Sequence, residues 1–475
     1  MTQNNCRIPI ITKKSKRWLF FFSVYFSCFF WALSSEPAHP KSYHLKVHIE
    51  PESGEIFVQS KLCIHFSDTP LEKFSFNLHG TFQINKLKIN GRPAEFTEMK
   101  NKPWIIFPCT KKITVYLPEK NKAQDLRMEM TYHGKLKNIP EFGTHKNQKL
   151  ALDDQVNSRM IELASYSCWY PLFTFGNRFD IHLELSLPEN WNCVCSGEEI
   201  KTQKNGERMF SHWSSVDDTD IVIVASPQLK LKSYQGDGIN IHIYHTQMPQ
   251  SFINQEIEQI EKTVHLYTNL LGKTVIPGRI VKHVFSPKQK GQGGAGIARP
   301  GMIITSEGLT LESLKKDPAF SLFHGMAHEI AHFWWNFGSN QGDWINETFA
   351  EYFSSVADQR IISEEKFQNN LEKYLSLTNP LSETAPSLSK VPFEGGKINY
   401  IVRYYKGSLM LDSIRKRVGD FEFFSICKDF YQTFFGDLIG TDEFREFWEN
   451  KLGKNKLLLN KWLDSQGGIP PIDWE

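Results

Sequence analysis

The chain has 475 residues, 40% of them hydrophobic and 13% aromatic, which is enough apolar material for two or three domains and excludes a disordered polymer. Its 55 Lys and Arg stand against 53 Asp and Glu, a formal net charge of +2. That balance supplies no global field to gather nucleic acid or anionic lipid, so no nucleic-acid partner is expected and partners have to be argued from a site.

The N-terminus has its own texture. Lys13, Lys14, Lys16 and Arg17 precede an uncharged, Phe-rich run from Trp18 to Leu33, the pattern of a basic segment followed by an apolar one in an export signal. Ala32 and Ser34 stand at −3 and −1 of a cleavage after Ser34, and the run is shorter than the roughly 20 residues of a membrane-spanning helix. Residues 1–35 therefore read as a signal peptide or a signal anchor. The protein is expected to be exported, either periplasmic or secreted, or held at the membrane only through this segment if it stays uncleaved. Of eight cysteines, Cys6 and Cys28 fall in this region. Cys63, Cys109, Cys168, Cys193, Cys195 and Cys427 are too sparse for a disulfide scaffold, contain no C-x-x-C pair, and read as free thiols with at most one bridge.

Residues 36–230 show period two. Tyr43, Leu45, Val47 and Ile49 alternate with His44, Lys46, His48 and Glu50, and the pattern returns at Leu62–Ile64–Phe66, Leu87–Ile89, Ile113–Val115–Leu117 and Ile181–Leu183–Leu185–Leu187. Asn90-Gly91, Pro118 and Pro188 punctuate the runs. An antiparallel β-sandwich is expected. After one more strand at 239–244 the period changes to 3.6: Ile253, Ile257, Ile260, Val264, Tyr267 and Leu271 mark an amphipathic helix opened by Ser251 and closed by Gly272. Strands at 279–285 and 302–305 follow, and from Asp317 the chain reads helical. Residues 231–475 form the second expected domain, giving a multidomain α+β protein.

Asp317-Pro318 is a good N-cap and first-turn pair for a helix through Phe323, Met326, Ile330 and Phe333. Within it lies His328-Glu329-Ile330-Ala331-His332. Histidines at i and i+4 share a helix face, so both imidazoles reach one zinc ion, while Glu329 is angled toward a water on that ion. A catalytic zinc needs a third protein ligand and an open fourth position. The next helix, from Asp343, offers Glu347 and Glu351 one turn apart.

Three motifs in order, H-E-x-x-H, W-I-N-E-T-F-A and later Tyr404-Tyr405-Lys406-Gly407, resemble the aminopeptidase N family of gluzincin metallopeptidases, in a short form without a C-terminal helical domain. The resemblance spans nearly the whole chain after the N-terminal segment, ending with Trp462-Leu463, Gly467 and Pro470. It implies a β-sandwich followed by a thermolysin-like, mostly helical zincin domain holding one Zn²⁺. It also implies hydrolysis of peptide bonds, most readily aminopeptidase action on peptides. By resemblance, His328, His332 and Glu347 are the zinc ligands, Glu329 the general base that activates a zinc-bound water, and Tyr404 the donor to the reacting carbonyl oxygen. Only fourteen residues separate His332 from Glu347, and the family's usual spacing would land on Glu351. The local motif favours Glu347, because a surface loop can shorten while a ligand-bearing helix face cannot rotate. Glu351 is then placed behind a ligand histidine, accepting its outer N–H.

The family's G-x-M-E-N segment, whose glutamate holds the substrate amine, is replaced by Gly293-Gly294-Ala295-Gly296-Ile297-Ala298-Arg299. Gly294, Ala295 and Gly296 keep the close backbone approach a peptide needs, but the carboxylate is missing. Glu162, nine residues before Pro171, is the visible substitute. Three readings stay open: an aminopeptidase, a zinc endopeptidase, and a zinc-stabilised binding protein without turnover. Intact Glu329 and Tyr404 weigh against the last. Side-chain preference and oligomeric state are not legible.

Overall fold

The computed structural model describes residues 38–66, 71–101, 109–121, 124–136, 142–145, 148–150, 154–174, 176–288, 296–339, 342–393 and 396–471. Residues 1–35, expected as an export signal, and Gly294 and Ala295, expected beside the substrate, lie outside the described residues. Among the described residues no helix is long and apolar enough to cross a membrane.

The period-two runs become strands whose alternate side chains are buried. Ala38–Glu50 buries Tyr43, Leu45, Val47 and Ile49, and Glu55–Phe66 buries Leu62, Ile64 and Phe66. Both belong to an eight-stranded sheet ordered Glu198–Asn205, Arg208–Asp218, Phe179–Pro188, Ala38–Glu50, Glu55–Phe66, Asp125–Lys135, Gln83–Ile89 and Arg92–Pro93. Asn90 (φ 49°) and Gly91 (φ 80°) take the left-handed conformations of a two-residue hairpin between its last two strands. A three-stranded sheet, Leu71–His79, Thr110–Asn121 and Phe96–Lys100, shares the same core through Phe74, Phe76, Ile113 and Val115. The sandwich is not wholly antiparallel as expected. Ser42–His48 pairs in parallel with Asp180–Ser186, because these strands are joined by a long crossover through the intervening sheets and not by a hairpin. The six described cysteines outside the N-terminal segment are free thiols.

A five-stranded sheet, ordered Lys230–Gln235, Asn240–His245, Ile280–Ser286, Met302–Ser306 and Gly296–Arg299, serves two cores at once. Ile241, Ile243, Val281, Phe285 and Ile303 face the helical core, while Tyr244, Val284, Ile297, Met302 and Ile304 join the sandwich core. A strand covered on both faces has to be apolar on both, which is why these segments read as continuous hydrophobic runs. Glu36–Glu475 accordingly clusters as one compact unit.

Helix α1 (Gln250–Leu271) packs its expected stripe inward and ends at Gly272 (φ 90°). Its N-cap is Pro249, not Ser251, which falls inside the first turn. Helix α2 (Glu307–Lys316) is capped by the Ser306 hydroxyl, which accepts the Leu309 N–H. Asp317 closes α2 instead of opening the next helix, since its carboxylate accepts the Ala319 N–H at 2.9 Å in a local turn. Helix α3 (Phe323–Ala331) begins only after the Ser321 hydroxyl takes the Phe323 N–H at 3.1 Å. Then come α4 (Asp343–Ala357), α5 (Glu364–Thr378), α6 (Lys397–Tyr400), a π-helical stretch Ile401–Lys406 and α7 (Gly407–Val418). Three further helices, α8 (Asp420–Phe434), α9 (Thr441–Leu452) and α10 (Lys456–Asp464), close the core with Phe430, Trp448 and Trp462.

Candidate metal centre and active site

Helices α3 and α4 meet along a ladder of histidines and carboxylates. On α3 and its C-cap the side chains at every fourth position are His324, His328 and His332; on α4 they are Asp343, Glu347 and Glu351. Steps of four keep each series on one face, and the helices run antiparallel, so ascending histidines meet descending acids. His324 Nε2 lies 3.4 Å from Glu351 Oε1, and His328 Nδ1 donates to Glu351 Oε2 at 3.0 Å. His328 Nε2 and His332 Nε2 lie 3.4 and 3.7 Å from Glu347 Oε2.

One donor atom from each of His328, His332 and Glu347 lies within 4.8 Å of the other two. Their chemistry fits a zinc ion. The outer nitrogen of each ring is already engaged, His328 Nδ1 by Glu351 and His332 Nδ1 by the Trp335 carbonyl at 3.0 Å, so both acceptors fix the proton on Nδ1 and leave Nε2 as the free donor. Glu347 Oε2 is buried and has no hydrogen-bond partner. A buried carboxylate oxygen facing two imidazole lone pairs is an arrangement a divalent cation resolves. Burial pushes the Glu347 carboxyl up, and it is protonated His328 and His332, with the Tyr404 hydroxyl, that outweigh burial and hold it well below the usual carboxylate range; the neutral, metal-ligating rings do not.

The short connection into α4 is closed by its own sequence. Asn346 accepts the Gly338 N–H at 2.8 Å and donates to the Gly338 carbonyl at 3.2 Å, and any β-carbon on Gly338 would strike the Gly342 carbonyl. The asparagine of the N-E motif thus clamps the loop that delivers Glu347.

Glu329 and Tyr404 line a cavity of about 230 Å³ together with His328, His332, Glu347, Gly296, Ala298, Asn336 and Asp343. A β-carbon on Gly296 would overlap the Glu329 carboxylate, so a larger residue here would have to displace the side chain of the candidate base. The Tyr404 ring stacks on His328 with centroids 5.6 Å apart and planes 4° from parallel. Burial, and then Glu347, push its phenol up, so it is a donor at neutral pH. Tyr404 sits in the π-helical stretch, where the Arg403 carbonyl is taken by the Thr348 hydroxyl at 2.6 Å. Arg403 ion-pairs with Asp343, whose carboxyl is pushed up by burial and Glu347 against that guanidinium. Lys406 donates to the Ser465 and Gly467 carbonyls at 2.7 and 2.9 Å and ties the chain end to the site. A larger open concavity of about 900 Å³ covers the polar face of the eight-stranded sheet, but the described metal-donor cluster lies in the smaller cavity.

Glu162 is not brought to that cavity. It is 1% exposed, bonded to Ser286 and ion-paired with Lys288 at 2.9 Å, so its charge is answered inside the seam between the sandwich and the five-stranded sheet. Its expected place at the substrate amine is not what the described residues show: the strand Ile161–Leu163 has all three side chains buried, and the Glu162 carboxylate is engaged by Ser286 and Lys288 and does not line the cavity. Among residues that sequence reasoning passed over, Asp343 was findable as the next step of four before Glu347. Tyr166 and Arg299, which also line the cavity, carry no local signal.

No family model matches the sequence. Human aminopeptidase O is 26% identical over 188 residues, 32% of this chain and 23% of that protein, so the chain spans about a quarter of the length of that curated relative. Among solved structures, the M1 zinc metallopeptidase of Deinococcus radiodurans superposes with a TM-score of 0.69 at 15% identity, covering 92% of this chain and 97% of that one. A form of the Deinococcus enzyme bound to a Tyr-Ser-Ala substrate gives the same TM-score. Leukotriene A4 hydrolase from Saccharomyces cerevisiae also reaches 0.69, covering 92% and 69%. The fold is thus that of the M1 zinc metallopeptidases, from the first sheet to the last helices.

Proposed function

We propose that this chain, built on the M1 zinc metallopeptidase fold, is a zinc-dependent peptidase that hydrolyses peptide bonds, with aminopeptidase action on peptides as its first reading. The observation that carries the proposal is the buried, unpartnered Glu347 oxygen facing His328 and His332 in the cavity that Glu329 and Tyr404 line. Zinc held by His328, His332 and Glu347 would supply a Lewis acid that polarises the scissile carbonyl and acidifies the attacking water. Glu329 takes the proton from that water and passes it to the leaving amine. The Tyr404 hydroxyl donates to the carbonyl oxygen as negative charge develops there. The strand Gly296–Arg299 is last in its sheet, and a peptide can lie along its outer edge as an added strand. Glu351 holds the His328 tautomer.

The test uses purified protein with bound metal quantified. About one zinc per chain is expected, with peptide hydrolysis that a chelator abolishes and zinc restores. Glu329→Gln should lower kcat by about 10²–10⁴-fold while zinc stays bound. Protein that holds no zinc, or a Glu329→Gln variant as active as wild type, would sink the proposal.

A zinc endopeptidase is the second reading, favoured by the engagement of Glu162 with Lys288 and by Ala298 standing on the cavity-lining strand. Peptides with free and acetylated N-termini, assayed side by side, separate the two. The N-terminal segment makes export part of the proposal, checked by the N-terminal sequence and location of the mature protein.

A further inference from the structure

His324 opens the histidine series on α3 but is not in the donor cluster. Its ring is clamped between two acids of α4 and the segment after it. Nδ1 lies 2.6 Å from Asp358 Oδ2, and Nε2 lies 3.4 Å from Glu351 Oε1, with the Ser354 hydroxyl 3.3 Å from that same nitrogen. Asp358 is itself fixed by Asn370 at 2.7 Å, and Glu351 Oε1 also accepts the Tyr374 hydroxyl at 2.8 Å. Asp358 is 1% and Glu351 5% exposed, so neither acid has water to fall back on.

We propose that His324 is a positioning residue for the metal centre, acting through Glu351 to hold His328 in the tautomer and orientation that ligate zinc. The inference rests on the metallopeptidase reading above. His328 can offer Nε2 only while Nδ1 keeps its proton, and that proton is held by Glu351 Oε2. A glutamate carboxylate turns readily about its last torsion, so the aim of Oε2 is set by whatever holds Oε1. Tyr374 supplies one hold and His324 the other. An imidazole suits this place because its two nitrogens face opposite ways and bridge two buried acids at once, which a single amide or hydroxyl donor does not do. The chain Asp358–His324–Glu351–His328–Glu347 therefore alternates acid and imidazole from the outer network to the cavity.

The bland alternative is a staple that joins α3 to the α4 region and matters only for stability. Zinc affinity of the full chain, measured by competition with a chromogenic chelator, separates the two. So does the visible spectrum of the cobalt-loaded protein, which reports ligand geometry. His324→Ala is expected to weaken zinc binding by about 10-fold or more, within the range seen when groups behind metal ligands are removed, and to shift the cobalt bands. It should lower kcat more than it raises KM. His324→Gln, which keeps a donor toward Glu351, should recover most of the affinity, and it carries the test if the alanine variant does not fold. In a Glu351→Gln background the His324 substitution should add little, because its route is already cut. A His324→Ala protein with a lowered melting midpoint but unchanged zinc affinity and cobalt spectrum would overturn the inference, as would equal losses with and without Glu351. Wild-type protein that takes up no zinc would instead overturn the metallopeptidase reading.

Discussion

At the scale of single residues, the candidate site depends as much on side chains that are missing as on those present. Gly296 passes so close to Glu329 that a methyl group would occupy the space of its carboxylate. Its backbone is not in the left-handed region, so the constraint is space alone. Gly296→Ala is expected to push Glu329 aside and lower kcat by about 10²-fold, the cost of a displacement near 1 Å, while zinc content stays at the wild-type level. A fall in zinc content together with activity would mean that the strand, and not the base, had moved. The motif letters themselves were legible: His328, Glu329 and His332 follow from helix periodicity and ligand chemistry, whereas periodicity offers Glu347 and Glu351 alike and only the resemblance of the N-E motif points to Glu347. The engagement of Glu162 by Lys288 was not legible, because a glutamate's partner across a domain seam leaves no mark near it in sequence.

At the scale of elements, the ligands depend on how closely α4 and the start of α7 approach. A β-carbon on Gly407 would overlap the Thr348 hydroxyl, which donates to the Arg403 carbonyl. Gly407→Ala should therefore separate the π-helical stretch from α4, costing about 1–3 kcal/mol through overpacking despite alanine's better helix propensity. Urea unfolding measures the loss, and a stabilised variant would show that the two helices can part freely. The same approach explains why Tyr404 reaches the cavity: the widened turn at 401–406 re-aims the ring onto His328. The extent of α1 and the period of the sandwich strands were readable from hydrophobic spacing, and the start of α4 at Asp343 from its motif. The start of α3 was not, since Asp317-Pro318 carries a good helix-opening signature that a local turn and the end of α2 consumed.

At the scale of the molecule, the seam between sandwich and helical half is held by buried charge as well as apolar contact. Asp220 accepts from Arg299 Nε at 2.7 Å, from Tyr170 at 2.8 Å and from Ser165 at 2.9 Å, tying the cavity's edge strand to the sandwich. Lys282, from the five-stranded sheet, donates to the Cys195 carbonyl at 2.6 Å. Beside them Asp218 is 1% exposed, and burial pushes its carboxyl up to about 6, against the ordinary value near 4 of an unfolded chain. Between about pH 4 and 6 the folded protein then binds the proton that the unfolded chain releases, so this group's contribution falls as pH rises through that window, by at most about 3 kcal/mol. Asp218→Asn should remove that slope, so that its stability relative to wild type increases from pH 4 to 7 in urea titrations. Parallel pH profiles for the two proteins would show that Asp218 does not titrate in this range.

The sequence by itself determined the chemistry and the local frame: an H-E-x-x-H helix, a following N-E helix, strands of period two and the change to period 3.6. Those features are set by neighbours a few residues away, through helix pitch, strand pleat and the donor types zinc accepts. Only the tertiary structure decided the parallel pair at the centre of the eight-stranded sheet, the engagement of Glu162 by Lys288, and the extension of the metal network to His324 and Asp358. Each of these joins parts of the chain, or of two helices, whose meeting is fixed by packing across the molecule, and no spacing along the chain encodes which buried acid will find which base.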